Sequence, residues 1–313
     1  MAIVYFDQRV WIDLLKAREG ITQYSQYKDI YNKVVETADS KEHIYPISSC
    51  HVIETQKRTD YQSRYDLLRF ILETSKLNSI LPHSQIINLE IRNAILESLD
   101  VEIRNTILDY LNIERINLKN KVIGKGLDHC FGEAGYIFKG IHDINTLIEI
   151  FNSEGRKNVV EKTYKSEKEL VQFLEDVKEK ILKEPDKQQR KNLAEAYQFT
   201  RYSKGITEEL IELTVFEDDI KHIYSNRETY RNFWKQAPST YIFVMLNIVR
   251  NLNKSRKIKL NDLYDLQCVS TASAYCDIVV TEREWANILN RENIAELYNT
   301  KIIYKIKDLE NLI

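Results

Sequence analysis

Apolar residues form short unbroken runs near the two ends of the chain and recur at helical spacing between them. Ala2 to Phe6 is continuously apolar, the pattern of a strand buried on both faces. Trp11, Ile12, Leu14 and Leu15 then repeat at helical spacing, so a strand, an acid (Asp7) and a helix open the chain. A helix over Tyr24 to Thr37 and a strand over His43 to Ile47 follow, with Ser48 and Ser49 placed to cap the helix that carries Glu54. Tyr65, Leu68, Ile71 and Leu72 continue a helical pattern to about Ser75. From about Leu77 to Leu260 the pattern is amphipathic and helical, with stretches at Ile86 to Leu99, Ile103 to Leu111, Ile144 to Phe151, Glu167 to Leu182, Gln188 to Tyr202, Thr207 to Val215 and Ser239 to Val249. After Leu260 the strand–helix alternation returns: a helix through Leu263, Leu266, Val269 and Ala274, a short strand at Ile278 to Thr281, a helix at Arg283 to Leu289 and a last strand at Lys301 to Ile306. The expected class is α/β and helix-rich, with one parallel sheet built by residues 1–76 and 261–313 and a mostly helical insertion at 77–260.

Gly124, Gly126, Gly132 and Gly135 cluster in one stretch, which lacks the order of a phosphate-binding loop and reads as a turn between helices. The charged run Lys178 to Lys191 reads as a solvated helix pair laced with ion pairs. With 8 Gly and 4 Pro in 313 residues, long loops are few. The net charge of −2 excludes a uniformly basic nucleic-acid coat, though a local basic path suffices for cleavage beside a metal. Cys50, Cys130, Cys268 and Cys276 show no zinc-ligand spacing and read as reduced, buried thiols of a cytoplasmic protein. No basic, then apolar leader opens the sequence and no stretch is long enough for a bilayer, so no membrane partner is expected.

The candidate chemistry lies in acids that follow the apolar runs. Asp7 follows the first strand, Glu54 the second, Asp262 and Asp265 open a helix, and Glu282 follows Thr281 at the end of the Ile278 strand, with Glu284 close behind. Carboxylates at the C-terminal ends of parallel strands converge on one crevice. Several together make a hard-oxygen site suited to Mg²⁺ or Mn²⁺, ions that assist phosphodiester cleavage. Each acid also has a plain structural role open to it: Asp7 and Asp262 as helix caps, Glu54 as an exposed helix residue, Asp265 as a lysine's partner, and Asp277 as a residue fixed ahead of its strand. Arg250, Lys254, Arg256, Lys257 and Lys259 crowd the approach to the Asp262 helix, and Lys57 and Arg58 follow Glu54; long cations beside carboxylates suit a phosphate backbone. His51 and His129 have no partnered motif.

Four segments together resemble the PIN-domain family of metal-dependent nucleases. Tyr5-Phe6-Asp7-Gln8-Arg9-Val10-Trp11 resembles its opening strand and metal-binding Asp, and Ser48-Ser49-Cys50-His51-Val52-Ile53-Glu54 its second acidic corner. Asp262-Leu263-Tyr264-Asp265 through Tyr275 resembles the helix with the third acid, and Cys276-Asp277-Ile278-Val279-Val280-Thr281-Glu282-Arg283-Glu284-Trp285 the closing strand and turn. The resemblance implies metal ligation by Asp7, Glu54, Asp265 and Glu282, prefers Asp265 to Asp262, and gives Thr281 the role of orienting an acid or a water. Where the family usually has Asp, this chain has Glu282 or Glu284. The implied activity is a Mg²⁺- or Mn²⁺-dependent endoribonuclease, hydrolysing RNA such as tRNA to a 5′-phosphate and a 3′-hydroxyl. The architecture is that of toxins or antiphage effectors, with a protein inhibitor or activator as a partner and room for a dimer interface on the insertion. A structure-specific DNA nuclease and a metal-free scaffold are the rival readings, the latter kept open by Glu at the fourth position.

Overall fold

The structure, a computed structural model, describes residues 1–112, 116–152 and 156–313, without the side chains of 156–167. Among the described residues six short strands, β1 (Ala2–Phe6), β2 (His43–Ile44), β3 (Asn78–Ile80), β4 (Ile123–Lys125), β5 (Ile278–Val280) and β6 (Lys301–Ile303), are set among many helices. β1, β2, β5 and β6 form one sheet in the order β2-β1-β5-β6, with each neighbouring pair parallel. Val4, Tyr5 and Phe6 pair with Ile278, Val279 and Val280, so the two ends of the chain meet at the centre of the sheet. Continuous apolar runs suit this position, since helices cover a parallel sheet on both faces. Trp11 is fully buried and meets Phe6 and Phe70 edge-on, with ring centroids 5.1 and 5.7 Å away.

The chain divides into two compact units. The first contains residues 1–82, 123–174 and 259–313, and the second 83–122 and 175–258. Residues 123–174 therefore pack with the sheet-bearing ends instead of joining a continuous 77–260 insertion. Leu127, Cys130, Phe138, Leu147 and Ile148 are buried in the same core as Val4, Phe6 and Trp11, and this holds the segment there. In the second unit Trp234, Phe199, Ile95 and Val244 share a separate core. There Glu90 is completely buried and accepts from the Ser239 N–H at 2.7 Å and the Thr240 N–H at 2.9 Å, satisfying first-turn donors of the helix Pro238–Leu252.

Four local expectations change. The second strand stops at Ile44 because Pro46 has no N–H for a ladder. Ile47 turns instead to β3, donating to the Asn78 carbonyl at 2.9 Å. The glycine stretch is not a turn between helices: Gly124 lies in β4, antiparallel to β3 opposite Ser79. A side chain at Gly124 would run into His129, and Gly126 holds a φ of +92°. Lys178, within the run read as solvated, is buried and donates to the Arg256 carbonyl. β6 ends at Ile303, ahead of a 3₁₀ turn over Ile306–Asn311. Among the described residues no helix is long and apolar enough to cross a membrane.

At Gly135 a Cβ would fall 2.4 Å from the Asp128 carbonyl oxygen and 2.7 Å from its Cα. Backbone cannot swing aside as a side chain can. Gly135→Ala should therefore cost about 1–3 kcal/mol, seen as a lower denaturant midpoint; an unchanged midpoint would show that the segment packs more loosely.

Candidate functional site

β1 and β5 run side by side and end together, which sets the first two groups of the site. Asp7 follows β1 and caps the helix Gln8–Arg18, accepting from the Arg9 N–H at 3.4 Å. Thr281 follows β5, is buried, and donates its hydroxyl to Asp7 Oδ2 at 3.0 Å. The Asp7 N–H donates to the Val280 carbonyl at 2.9 Å and the Thr281 N–H to that of Ile303 at 3.0 Å, carrying the ladder to the sheet's edge. Asp7 is thus a helix cap and an oriented buried acid at once.

Glu54 comes from the helix Ser49–Gln56, whose start is fixed by the Ser48 N–H donating to His51 Nδ1 at 3.1 Å. The buried His51 ring stacks on Tyr5 at 5.2 Å, which ties this helix to β1. Burial pushes the His51 pKa down to about 4, so it stays neutral and serves as a structural pin. Asp265 comes from the helix Leu260–Tyr275. Glu282 occupies the N-cap position of the helix Arg283–Arg291.

Asp7, Glu54, Asp265 and Glu282 line one cavity of about 330 Å³, with Gln8, Arg9, Ile12, Lys57, Arg58 and Asn261 completing the wall. Burial first, and then the neighbouring charges of Asp7, Glu54, Glu282 and Asp262, push the Asp265 carboxyl up to about 9. Burial, Asp7 and Glu282 push Glu54 up to about 7 against the opposing pull of Lys57. Asp7 is also raised, by burial, with its hydrogen bonds from Thr281 and from backbone N–H groups pulling the other way. Four carboxyls facing one space cannot all ionise cheaply without a cation among them.

The remaining candidate acids stand elsewhere. Asp262 is buried and accepts from the Lys259 N–H at 3.0 Å, closing the first turn of its helix; its charge reaches Asp265, but its carboxyl is used as a cap. Asp277 takes the structural role open to it and no part in the acid cavity. It lies ahead of β5 and accepts from the Ile3 N–H at 2.7 Å, at the opposite end of the sheet from Asp7. Glu284 is exposed one residue into its helix and does not line the acid cavity, whereas Glu282 does.

Among the candidate cations, Lys57 and Arg58 line the acid cavity. The Lys57 ammonium lies 4.2 Å over the Tyr264 ring, and Arg58 donates to Ser63 Oγ at 2.7 Å. Arg250 is a correction: it is buried in the second unit and donates to Asn247 Oδ1 at 2.6 Å, so it presents no surface to a phosphate. Lys254, Arg256 and Lys257 belong to the second unit, while Lys259 is the exposed cap of the Asp265 helix. Sequence reasoning missed Arg9 in the wall and Arg283, Tyr304, Lys305 and Lys307 in an adjoining cavity of about 360 Å³ that shares Asp7, Arg9 and Glu282. The rule that located the acids applies to these as well, since Tyr304, Lys305 and Lys307 follow β6 and Arg283 follows β5.

The cysteines also differ from expectation. Cys50 and Cys268 form a disulfide, and Cys130 and Cys276 are free and buried. Cys50 stands one turn before Glu54 and Cys268 one turn after Asp265, so each cysteine shares a helix face with an acid. The bridge joins the two helices that present these acids, across 218 residues of sequence.

No family model matches the chain, and no curated protein or solved structure is significantly similar to it.

Two outcomes follow. Because folding raises the carboxyl pKa of Asp265 from a usual 3.8 to about 9, and of Glu54 from 4.5 to about 7, the folded state binds more protons than the unfolded one across these intervals. Metal-free stability should then fall as pH rises from about 4 towards 9. Asp265→Asn should flatten that fall and raise the melting temperature near pH 8 by about 2–4 °C for each kcal/mol relieved. A lower melting temperature in the variant at that pH would contradict the crowding. Cys50→Ser should cost about 2–5 kcal/mol and make thermal stability insensitive to thiol reductant. A variant that melts with the oxidised wild type would show that the bridge carries no load.

Proposed function

We propose that the first unit is a PIN-like, divalent-cation-dependent endonuclease acting on RNA. One observation carries this reading: Asp7, Glu54, Asp265 and Glu282 converge at the C-terminal edge of a parallel sheet, in one cavity rimmed by Arg9, Lys57 and Arg58. The four-stranded parallel sheet drawn from both chain ends is compatible with the PIN resemblance of the sequence segments, which remains a resemblance.

Among the described residues no three acidic, histidine or cysteine side chains are drawn together tightly enough to share an ion as they stand. The fit to a cation rests instead on donor chemistry and charge. An all-carboxylate set favours Mg²⁺ or Mn²⁺ over softer metals, and the raised pKa values of Glu54 and Asp265, due first to burial and then to neighbouring carboxylates, are of the kind that a bound cation would reverse. Asp7, Glu54, Asp265 and Glu282 would hold the ion, whose chemistry is to polarise a phosphodiester and lower the pKa of a water. Thr281 donates to Asp7 Oδ2 and the Arg9 N–H to Oδ1, which together fix the orientation of this carboxylate. Arg9, Lys57 and Arg58 supply the positive rim on which a phosphate backbone is positioned without reference to sequence. The four carboxylates would otherwise repel the substrate.

The test is cleavage of a panel of tRNA, single-stranded RNA and single-stranded DNA with Mn²⁺ or EDTA, by the wild type and by Asp7→Asn. Cutting of RNA that needs the ion and falls by at least about a hundredfold in the variant, roughly 2.7 kcal/mol of barrier, is the expected result. Cutting confined to DNA would replace the substrate, and cutting unaffected by EDTA and by Asp7→Asn would overturn the site.

A further inference from the structure

The acid cavity adjoins the second cavity of about 360 Å³, whose lining beyond the shared Asp7, Arg9 and Glu282 contains no acid. Tyr304 lies there, about 37% exposed, with the Arg283 guanidinium 5.7 Å and the Lys305 ammonium 5.6 Å from its ring centroid. Lys307 and Tyr27 line the same cavity. Arg283, Lys305 and Lys307 are all exposed. The partly exposed Tyr304 ring, with two cations beside it and a third in the same cavity wall, offers a surface suited to something flat and anionic. The wall is continuous with the acids, because Asp7, Arg9 and Glu282 border both cavities. On the other flank of the acids Lys57 lies over Tyr264, a second pairing of cation and ring.

We propose that the Tyr304 cavity is a nucleotide subsite for single-stranded nucleic acid, in which the Tyr304 ring takes the face of an unpaired base and Arg283, Lys305 and Lys307 take the phosphates next to it. Aromatic platforms beside a basic track bind single strands with little regard to sequence, because every base offers a π face. A paired base has that face covered by its neighbours, so a duplex gains only the phosphate contacts. The inference rests on the nuclease reading for one point alone, the placing of the scissile phosphate over the acids. With it, the strand would run from the Lys57 flank across the carboxylates to Tyr304, carrying nucleotides on both sides of the cut, which is the requirement of an endonuclease.

Fluorescence anisotropy in EDTA reads the subsite without cutting, using labelled single-stranded RNA of about ten nucleotides, DNA of the same sequence, and the blunt duplex. Tyr304→Leu should weaken single-strand binding about tenfold and leave duplex binding unchanged. The combined Arg283→Gln, Lys305→Gln and Lys307→Gln protein should lower the slope of log affinity against log salt by about 2, at roughly 0.7 for each phosphate that is no longer neutralised. The charge variant keeps the test open if Tyr304→Leu melts early, since its three side chains are exposed. RNA and DNA bound alike would show that only base and phosphate are read, and preference for RNA would add the ribose hydroxyl; either agrees with the subsite. Variants that bind like the wild type, a duplex bound as tightly as the single strand, or no wild-type binding at about 0.1 M salt would overturn it. Cleavage with Mn²⁺ is recorded on the same oligonucleotides. Cutting with variant binding unchanged removes the subsite and leaves the nuclease, whereas the expected binding pattern without cutting keeps the subsite and removes the nuclease.

Discussion

Burial of Asp7, Glu54 and Asp265 in one cavity, with Glu282 on its wall, is the constraint on which the site of the first unit depends. Removal of Asp265 and Glu54 from water penalises their charged forms most, and the neighbouring carboxylates add to the penalty. A chain tolerates such an arrangement only when the rest of the structure holds it in place. The holding elements are identifiable: the β1–β5 ladder that brings the chain ends together, the Thr281 hydroxyl on Asp7, the His51–Tyr5 stack beneath the Glu54 helix, and the Cys50–Cys268 bridge between the Glu54 and Asp265 helices.

The two ends of the sequence are legible because their physics is local. A continuous apolar run such as Ala2–Phe6 can be little else than a buried strand, and an acid directly after it has its position set by the sheet. Ser48 ahead of the Glu54 helix is readable for the same reason. Asp277 is legible as a residue fixed ahead of its strand, but the group that fixes it is not. The Ile3 N–H that it accepts from belongs to the other end of the chain.

Arg250 and Lys178 illustrate a second limit. Arg250 reads as a cation open to a phosphate and Lys178 as solvated, yet both are buried, and Lys178 donates to the carbonyl of Arg256, a partner distant in sequence that no local pattern records. The disulfide is hidden likewise: 218 residues separate Cys50 from Cys268, and only the facing of two helices pairs them. The strands β3 and β4 are too short to show a period of two, and the glycines of the second read as a turn. Tyr304, Lys305 and Lys307 escape for a different reason: they are cations and a ring at the end of β6, where a search for acids at strand ends passes over them.

The central claim is that these carboxyls await a cation, and proton release on binding tests it most directly. Titration calorimetry with Mn²⁺ near pH 7.5, repeated in buffers of different ionisation enthalpy, counts the protons displaced as the ion enters. Because Asp265 is held protonated up to about pH 9 in the metal-free protein, the account predicts saturable binding with release of about one proton per ion. Binding without proton release, or no binding at all, would contradict it.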